Sequence, residues 1–258
     1  FGQIRINPTN EDNVSVFGVE LHTSTNGGDS WFQSTPDWFL FEVHADMHDL
    51  VYTPDGDTWL ATDGGLYQGT ENFDSWDFSS FIPISQFYRI AINPFETGIY
   101  AGGMQDNGTS EGNYENSFSW PRLFGGDGFQ PIYNPDDQTI FYSTTQNGGL
   151  WVFSSNNWNS FVDGIEPNDR VAWDAPFIMS SHNSDVLYTA TTKIYKAEDG
   201  PISFWVPISP DLNGPPDFLP ANRHVITTIA ESPINADVLY AGTSDGKVWV
   251  TQNNGMNW

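Results

Sequence analysis

The chain has no cysteine. That removes a disulfide framework, a thiol nucleophile and a cysteine-ligated zinc site, and it leaves the redox compartment open. Bases are scarce: 8 Lys and Arg stand against 33 Asp and Glu, for a formal net charge of −25. Such a surface is ill suited to neutralise phosphate, so nucleic acid and anionic membrane are poor partners. No apolar run approaches a bilayer span, and membrane insertion is not expected. Cations, neutral ligands such as sugars, and basic peptides stay open. Aromatics are plentiful, with 11 Trp, 10 Tyr and 19 Phe in 258 residues, enough for a sizeable core and too many for a disordered chain.

Helical periodicity is nearly absent, and one β pattern recurs instead. An alternating strand ends at Asn-Pro or a similar pair, a short polar turn follows, and a strand of the type V/I-Y-x-[AGST] comes next. The copies are IRINPTNEDNVSVFG, LVYTPDGDTWLAT, IAINPFETGIYAGG, PIYNPDDQTIFYST, IMSSHNSDVLYTAT and IAESPINADVLYAGT. Their anchors, Pro8, Pro54, Pro94, Pro135, His182 and Pro233, are spaced by 46, 40, 41, 47 and 51 residues. A period in the forties filled with short strands and Gly/Asn/Asp turns is the signature of β-propeller blades of four strands, A to D. The expected fold is therefore all-β, a single propeller domain over residues 1–258 with about six units present and seven in the complete protein. The ends, FGQIRINP and NNGMNW, read as cuts within a longer protein. Proline suits the A–B turns, because it fixes φ and ends a strand. The B–C turns carry Asp63-Gly64, Asn107-Gly108, Asn147-Gly148 and Asp245-Gly246, pairs that tolerate the positive φ of tight hairpins.

A second motif sits where strand C ends. STNGGDSW (Ser24, Asn26, Gly28, Trp31) and TQNNGMNW (Thr251, Asn253, Gly255, Trp258) follow the pattern S-x-D-x-G-x-x-W, with Asn in the Asp place. Weaker versions are GTENFDSW and SSNNW. The expected role is structural. A short polar side chain bonds back to turn amides, glycine supplies a left-handed residue, and tryptophan staples the turn to its blade. With the period, these motifs resemble the BNR/Asp-box propellers, the group that includes sialidases, xyloglucanase-like hydrolases and sortilin (VPS10-type) receptors. A nearer resemblance is to large secreted bacterial proteins labelled "glycosyl hydrolase". It is carried by Gly18–Trp31, His44–His48, Thr62–Tyr67, Gln86–Ala91, Gly102–Gly108 and Gly125–Phe129. The resemblance implies a secreted or cell-surface protein. The arginine triad of sialidases is not met by the scattered Arg5, Arg89, Arg122, Arg170 and Arg223, so a sialic acid substrate is not expected.

In such a blade, B–C turns and D–A connections share one rim. HADMH opens the second unit there, GGDGF the fourth, WDAPF the fifth and RHV the sixth. The rim should thus collect His44, Asp46, His48, Asp63, Asp106, Asn107, Asp127, Asp174, Arg223 and His224. Strand parity predicts His44, Asp46 and His48 on one face, a candidate metal set for zinc or a similar ion. Calcium or another divalent cation could instead tie acids through oxygen ligands. The alternative for these groups is hydrogen bonding between blades. Asp63, Asp106 and Asp127 are candidate catalytic carboxyls, since glycosidases need two across the scissile bond. Asp127 in GGDGF is similar to the acid's context in xyloglucanase-like enzymes, although the spacing differs. Phe129 and Trp173, with Phe87, Tyr88 and Phe177 nearby, are candidates for stacking on a sugar. The preferred expectation is a binding module for glycans or cell-surface polymers, joined to other domains of its own longer chain. The alternatives are a glycoside hydrolase and an assembly module without ligand.

Overall fold

A computed structural model describes residues 2–82, 84–202, 204–214 and 224–258. The chain folds as a β-propeller of antiparallel meander blades in two compact units, Phe1–Ser85 and Gln86–Trp258. The first unit holds blade 1 (Gln3–Asn7, Asn10–Phe17, Leu21–Ser24, Phe32–Gln33) and blade 2 (Met47–Tyr52, Asp57–Thr62, Gly65–Thr70, Trp76–Phe78). The second holds blade 3 (Arg89–Ile92, Ile99–Met104, Gly108–Asn113, Arg122–Phe124) and blade 4 (Ile132–Tyr133, Phe141–Thr145, Gly149–Ser154, Asn157–Ser160). Blade 5 (Phe177–Met179, Leu187–Ala190, Ile194–Ala197, Val206–Pro207) and blade 6 (Ile226–Glu231, Leu239–Thr243, Val248–Thr251) complete it. Among the described residues blade 6 has three strands and the others four.

The repeat anchors all fall between strands A and B. There the residue ahead of the anchor organises the turn. Asn93 Oδ1 accepts from the amides of Phe95 and Glu96, Asn134 Oδ1 from Asp136 and Asp137, and Ser232 Oγ from Ile234 and Asn235. This is side-chain turn chemistry, with proline or its substitute ending the strand. The B–C turns are less uniform than their Asp-Gly and Asn-Gly pairs predict. Asn147 and Gly148 both take positive φ, but in blade 2 the left-handed residue is Gly65 rather than Asp63 or Gly64, and in blade 3 Asp106 and Gly108 flank Asn107.

The core lies between neighbouring blades. Phe17, Leu21, Met47, Leu50 and Leu60 pack blade 1 on blade 2. Tyr142, Leu150, Leu187, Tyr195 and Trp205 fill the space between blades 4 and 5, and Tyr188, Ile194, Ile226 and Leu239 that between 5 and 6. Strand B of blades 4 and 5 is buried at every position, because each of these blades has a neighbour on both faces. Each buried leucine or isoleucine contributes about 1.5–3 kcal/mol.

The C–D turns carry a second joint. In the first copy Ser24 Oγ accepts from the amides of Asn26 (3.2 Å) and Gly28 (2.8 Å), and Asn26 Oδ1 accepts from Ser30 (2.9 Å). In the last copy Thr251 Oγ1 accepts from Asn253 (3.3 Å) and Gly255 (3.0 Å), and Asn253 Oδ1 from Asn257 (3.0 Å). Tryptophan reaches further than a turn staple. Trp76 Nε1 donates to the carbonyl of Ser34 at 3.0 Å, Trp205 to Phe161 at 2.7 Å and Trp258 to Ile208 at 2.9 Å. Each acceptor directly follows strand D of the preceding blade, so the indole ties one blade to the one before it. Trp31 of blade 1 donates to its own Gly28 (3.0 Å).

Two tyrosines make further ties. Tyr133 Oη donates to Glu111 at 2.5 Å, joining blades 4 and 3, and Tyr188 Oη donates to Glu231 at 3.3 Å, joining blades 5 and 6. Burial, then the facing carboxylate, pushes both phenols well above their ordinary value; burial does the same to Tyr142. A phenol with a raised folded pKa gives stability that is complete below its unfolded value, near 10, and is lost as pH rises beyond it. Urea midpoints are therefore expected to hold steady to about pH 9.5 and then fall. Tyr133→Phe should flatten that fall while lowering the neutral-pH midpoint, because Glu111 loses its donor.

Candidate functional site

The B–C turns and D–A connections carry the unusual polar residues in each unit, and what they do there differs from side chain to side chain. In the first unit the lead-in to blade 2 breaks the predicted parity. Strand A starts only at Met47, Asp46 is left-handed at φ 60°, and the register shifts between Met47 and Asp49. Alternation therefore does not hold across residues 44–48, and His44, Asp46 and His48 do not bring one ligand atom each within 4.8 Å of one another. His44 packs on Gly64, its amide donates to Tyr67 Oη at 3.1 Å, and its Nδ1 lies 3.0 Å from the carbonyl of Ala45. His48 Nε2 pairs with Asp63 Oδ1. The Asp63 amide donates to the carbonyl of Asp46 at 3.1 Å, and the two carboxylates bring an oxygen each within 4.8 Å. Asp46 and Asp63 are the groups of this unit's rim that could hold a divalent cation through oxygen.

In the second unit the rim is built around a tight joint between blades 3 and 4. The lead-in Gly125–Phe129 lies on the B–C hairpin of blade 3. A Cβ on Gly103 would stand 2.5 Å from the carbonyl oxygen of Phe129, and one on Gly128 would stand 2.2 Å from that of Gly108. Only glycine allows two backbones to come this close. The amide of Gly128 donates to Met104 at 2.8 Å and that of Phe129 to Thr144 at 3.2 Å, so the lead-in bridges two blades. Asp127 is buried in this joint. Its Oδ1 accepts from the Asp106 amide at 2.7 Å, and its own amide donates to Gln146 Oε1 at 2.9 Å. Asp106 is left-handed at φ 61°, and the Asp127 carboxylate satisfies the amide that this conformation leaves free. Two candidates are corrected by burial. Phe129 has no exposed surface, so it cannot stack on a ligand; it packs against Tyr88 at 5.0 Å between ring centres. Phe177 is likewise core.

What stays open on this rim lies beside the joint. Tyr88 is 48% exposed and Trp173 50% exposed. Tyr88 Oη donates to Gln105 Oε1 at 2.6 Å. The carbonyl of Trp173 accepts from the amide of Asn147 at 3.0 Å, which fixes the lead-in of blade 5 to the B–C turn of blade 4. Next to these aromatics in sequence, Arg89 of blade 3 meets Asp174 of blade 5 in a two-pronged pair, Nη1 to Oδ1 at 2.9 Å and Nη2 to Oδ2 at 2.7 Å. Forked geometry of this kind fixes direction as well as charge. Asn107 is half-buried in the adjoining turn. The lead-ins and turns of this unit thus carry two part-exposed rings, an oriented ion pair and an amide side chain.

His224, in the lead-in to blade 6, is buried, and neither ring nitrogen has a hydrogen-bond partner among the described residues. Arg223 lies outside the described residues. The sequence reading passed over Gln105 and Gln146, although each opens its B–C turn, in QDNG and QNGG, and that repetition was a usable signal. It also passed over Asp169, before blade 5, whose carboxylate accepts from Tyr195 Oη (2.6 Å), Thr191 Oγ1 (2.9 Å) and Lys193 Nζ (3.1 Å).

No family model and no curated protein matches the chain. Among solved structures it is similar to a GH74 xyloglucanase from Xanthomonas campestris, at 12% identity and TM-score 0.46, over 97% of this chain and 44% of that one. It is similar to the GH74 enzyme of Niastella koreensis at 9% identity and TM-score 0.48, over 97% and 45%. YCF48 from Cyanidioschyzon merolae aligns at 9% identity and TM-score 0.46, over 99% and 82%. The chain thus spans under half the length of either GH74 protein. Among the described residues no helix is long and apolar enough to cross a membrane.

Proposed function

We propose that this chain is an Asp-box β-propeller domain of a secreted or cell-surface protein, and that it binds glycans or surface polymers. The ligand lies on the second unit's rim, across Tyr88, Trp173, Asn107 and the Arg89–Asp174 pair. The observation that carries this reading is the division of labour on that rim. The two aromatics are half-exposed, while the leading candidate acid, Asp127, is buried with its carboxylate on a backbone amide. Ring faces beside fixed polar groups suit a sugar, whose flat side is apolar and whose edge is hydroxylated. A carboxyl already serving as a turn acceptor is poorly placed to protonate a leaving group.

A glycan array run beside a hydrolysis screen on the same panel tests this. The expected outcome is retention of a defined glycan subset with no new reducing ends. Release of reducing ends that vanishes in Asp127→Asn would establish the hydrolase instead. Failure to retain any glycan or surface polymer would remove the ligand.

A further inference from the structure

The first unit has a cleft of about 530 Å³, lined by residues 32–36, 42–43 and 72–76. It lies between the D-strand edge of blade 1 and the C–D turn of blade 2, and its volume is that of a small-ligand site. Its walls combine three rings with two carboxyls. Phe73 and Trp76 stack at 5.7 Å and 14°, and Phe32 stands 47% exposed. Glu42 and Asp74 line the cleft and are both exposed. Ser34, on the same wall, is nine-tenths buried, and its hydroxyl has no hydrogen-bond partner among the described residues. A buried hydroxyl without a partner is uncommon and marks a place where a polar group is missing.

We infer that this cleft binds a basic side chain of a peptide, an arginine or lysine, held between the Glu42 and Asp74 carboxylates and the aromatic wall. Charge decides the class of ligand. Arg5 is the only Lys or Arg in residues 1–85, and it is tied to Asp49 at 2.6 Å between the A strands. The cleft thus has two carboxyl-bearing residues and three aromatic ones in its lining, and no base. A guanidinium or ammonium meets all the features at once: carboxylates for its charge, ring faces for the cation, and the Ser34 oxygen as a further acceptor. A neutral sugar would make no use of the two negative charges. The site shares no residue with the surface proposed to bind glycans.

The test is ¹⁹F NMR of the full chain labelled with 5-fluorotryptophan. The Trp76 resonance is assigned by its loss in Trp76→Phe or, should that variant not fold, by the one resonance displaced in Asp74→Asn. The probes are acetyl-Gly-Arg-Gly-amide, the same peptide with alanine, and a xyloglucan oligosaccharide. The expected result is a saturable shift of the Trp76 signal with the arginine peptide alone, at least about five-fold weaker in the Glu42→Gln/Asp74→Asn variant and weakened by salt. An equal shift with the alanine peptide, a shift with the oligosaccharide instead, an unchanged affinity in the double variant, or no shift at all would overturn the inference.

Discussion

Replacing Gly128 with alanine is expected to lower the thermal midpoint by on the order of 10 °C. A Cβ there would stand 2.2 Å from the carbonyl oxygen of Gly108, 2.5 Å from its carbon and 2.8 Å from Thr109 Oγ1. The nearest obstacle is backbone, which cannot swing aside as a flexible side chain would. Thr109 is itself fixed, with its hydroxyl 2.7 Å from Ser143 Oγ. Relief must come from parting blades 3 and 4, with loss of the Gly128–Met104 and Asp127–Asp106 bonds, at a cost of about 3–5 kcal/mol. The control is Gly125→Ala, three residues earlier in the same lead-in, where an added Cβ meets nothing within 4 Å. Differential scanning calorimetry should show it within about 1 °C of the parent.

Asp169→Asn should cost about 3 kcal/mol at neutral pH, although Asp169 touches no surface proposed to bind a ligand. Its side chain is 14% exposed and accepts from a phenol, a hydroxyl and an ammonium. Burial alone would raise its pKa, but the donors Tyr195, Thr191 and Lys193 outweigh burial and hold it below the ordinary carboxylate value. An amide presents one acceptor and two donors where three donors converge. Because the folded pKa is depressed, this stability is present above the unfolded value, near 4, and is lost as pH falls through the folded one. The gap between parent and variant in urea midpoint should therefore be full from about pH 5 upward and narrow steadily in acid. A gap of constant size down to pH 2 would show that the carboxylate's charge contributes nothing.

The blades were legible in the sequence because their punctuation is local. Proline ends strand A whatever surrounds it, and an asparagine or serine before it bonds to amides two or three residues on. The C–D turns were legible for the same reason. The reach of Trp76, Trp205 and Trp258 into the preceding blade was not, since a motif records which residue is present and not the neighbour it meets. Parity failed at His44–His48 because it assumes extended backbone, and Asp46 is left-handed. Phe129 closes GGDGF and Trp173 opens WDAPF, each beside an acid in sequence, yet one is core and the other half-exposed; only the packing of blade on blade separates them. Asp169 sits in the irregular stretch between blades 4 and 5, where no repeat drew attention to it. The sequence placed the acids together on one rim. Several of them turned out to satisfy backbone amides or to pair with a neighbour, as Asp127 does with Asp106, Asp63 with His48 and Asp174 with Arg89.

The most direct measurement of that division is calorimetric titration of the best-retained glycan into the parent, Trp173→Ala and Asp127→Asn, with each protein's thermal midpoint recorded alongside. Trp173→Ala should weaken binding about ten-fold or more, roughly 1.4 kcal/mol, and leave the midpoint unchanged. Asp127→Asn should lower the midpoint and leave the affinity of the folded protein unchanged. The reverse pattern, with affinity lost in Asp127→Asn and kept in Trp173→Ala, would contradict the assignment of Asp127 to the joint and of Trp173 to the ligand.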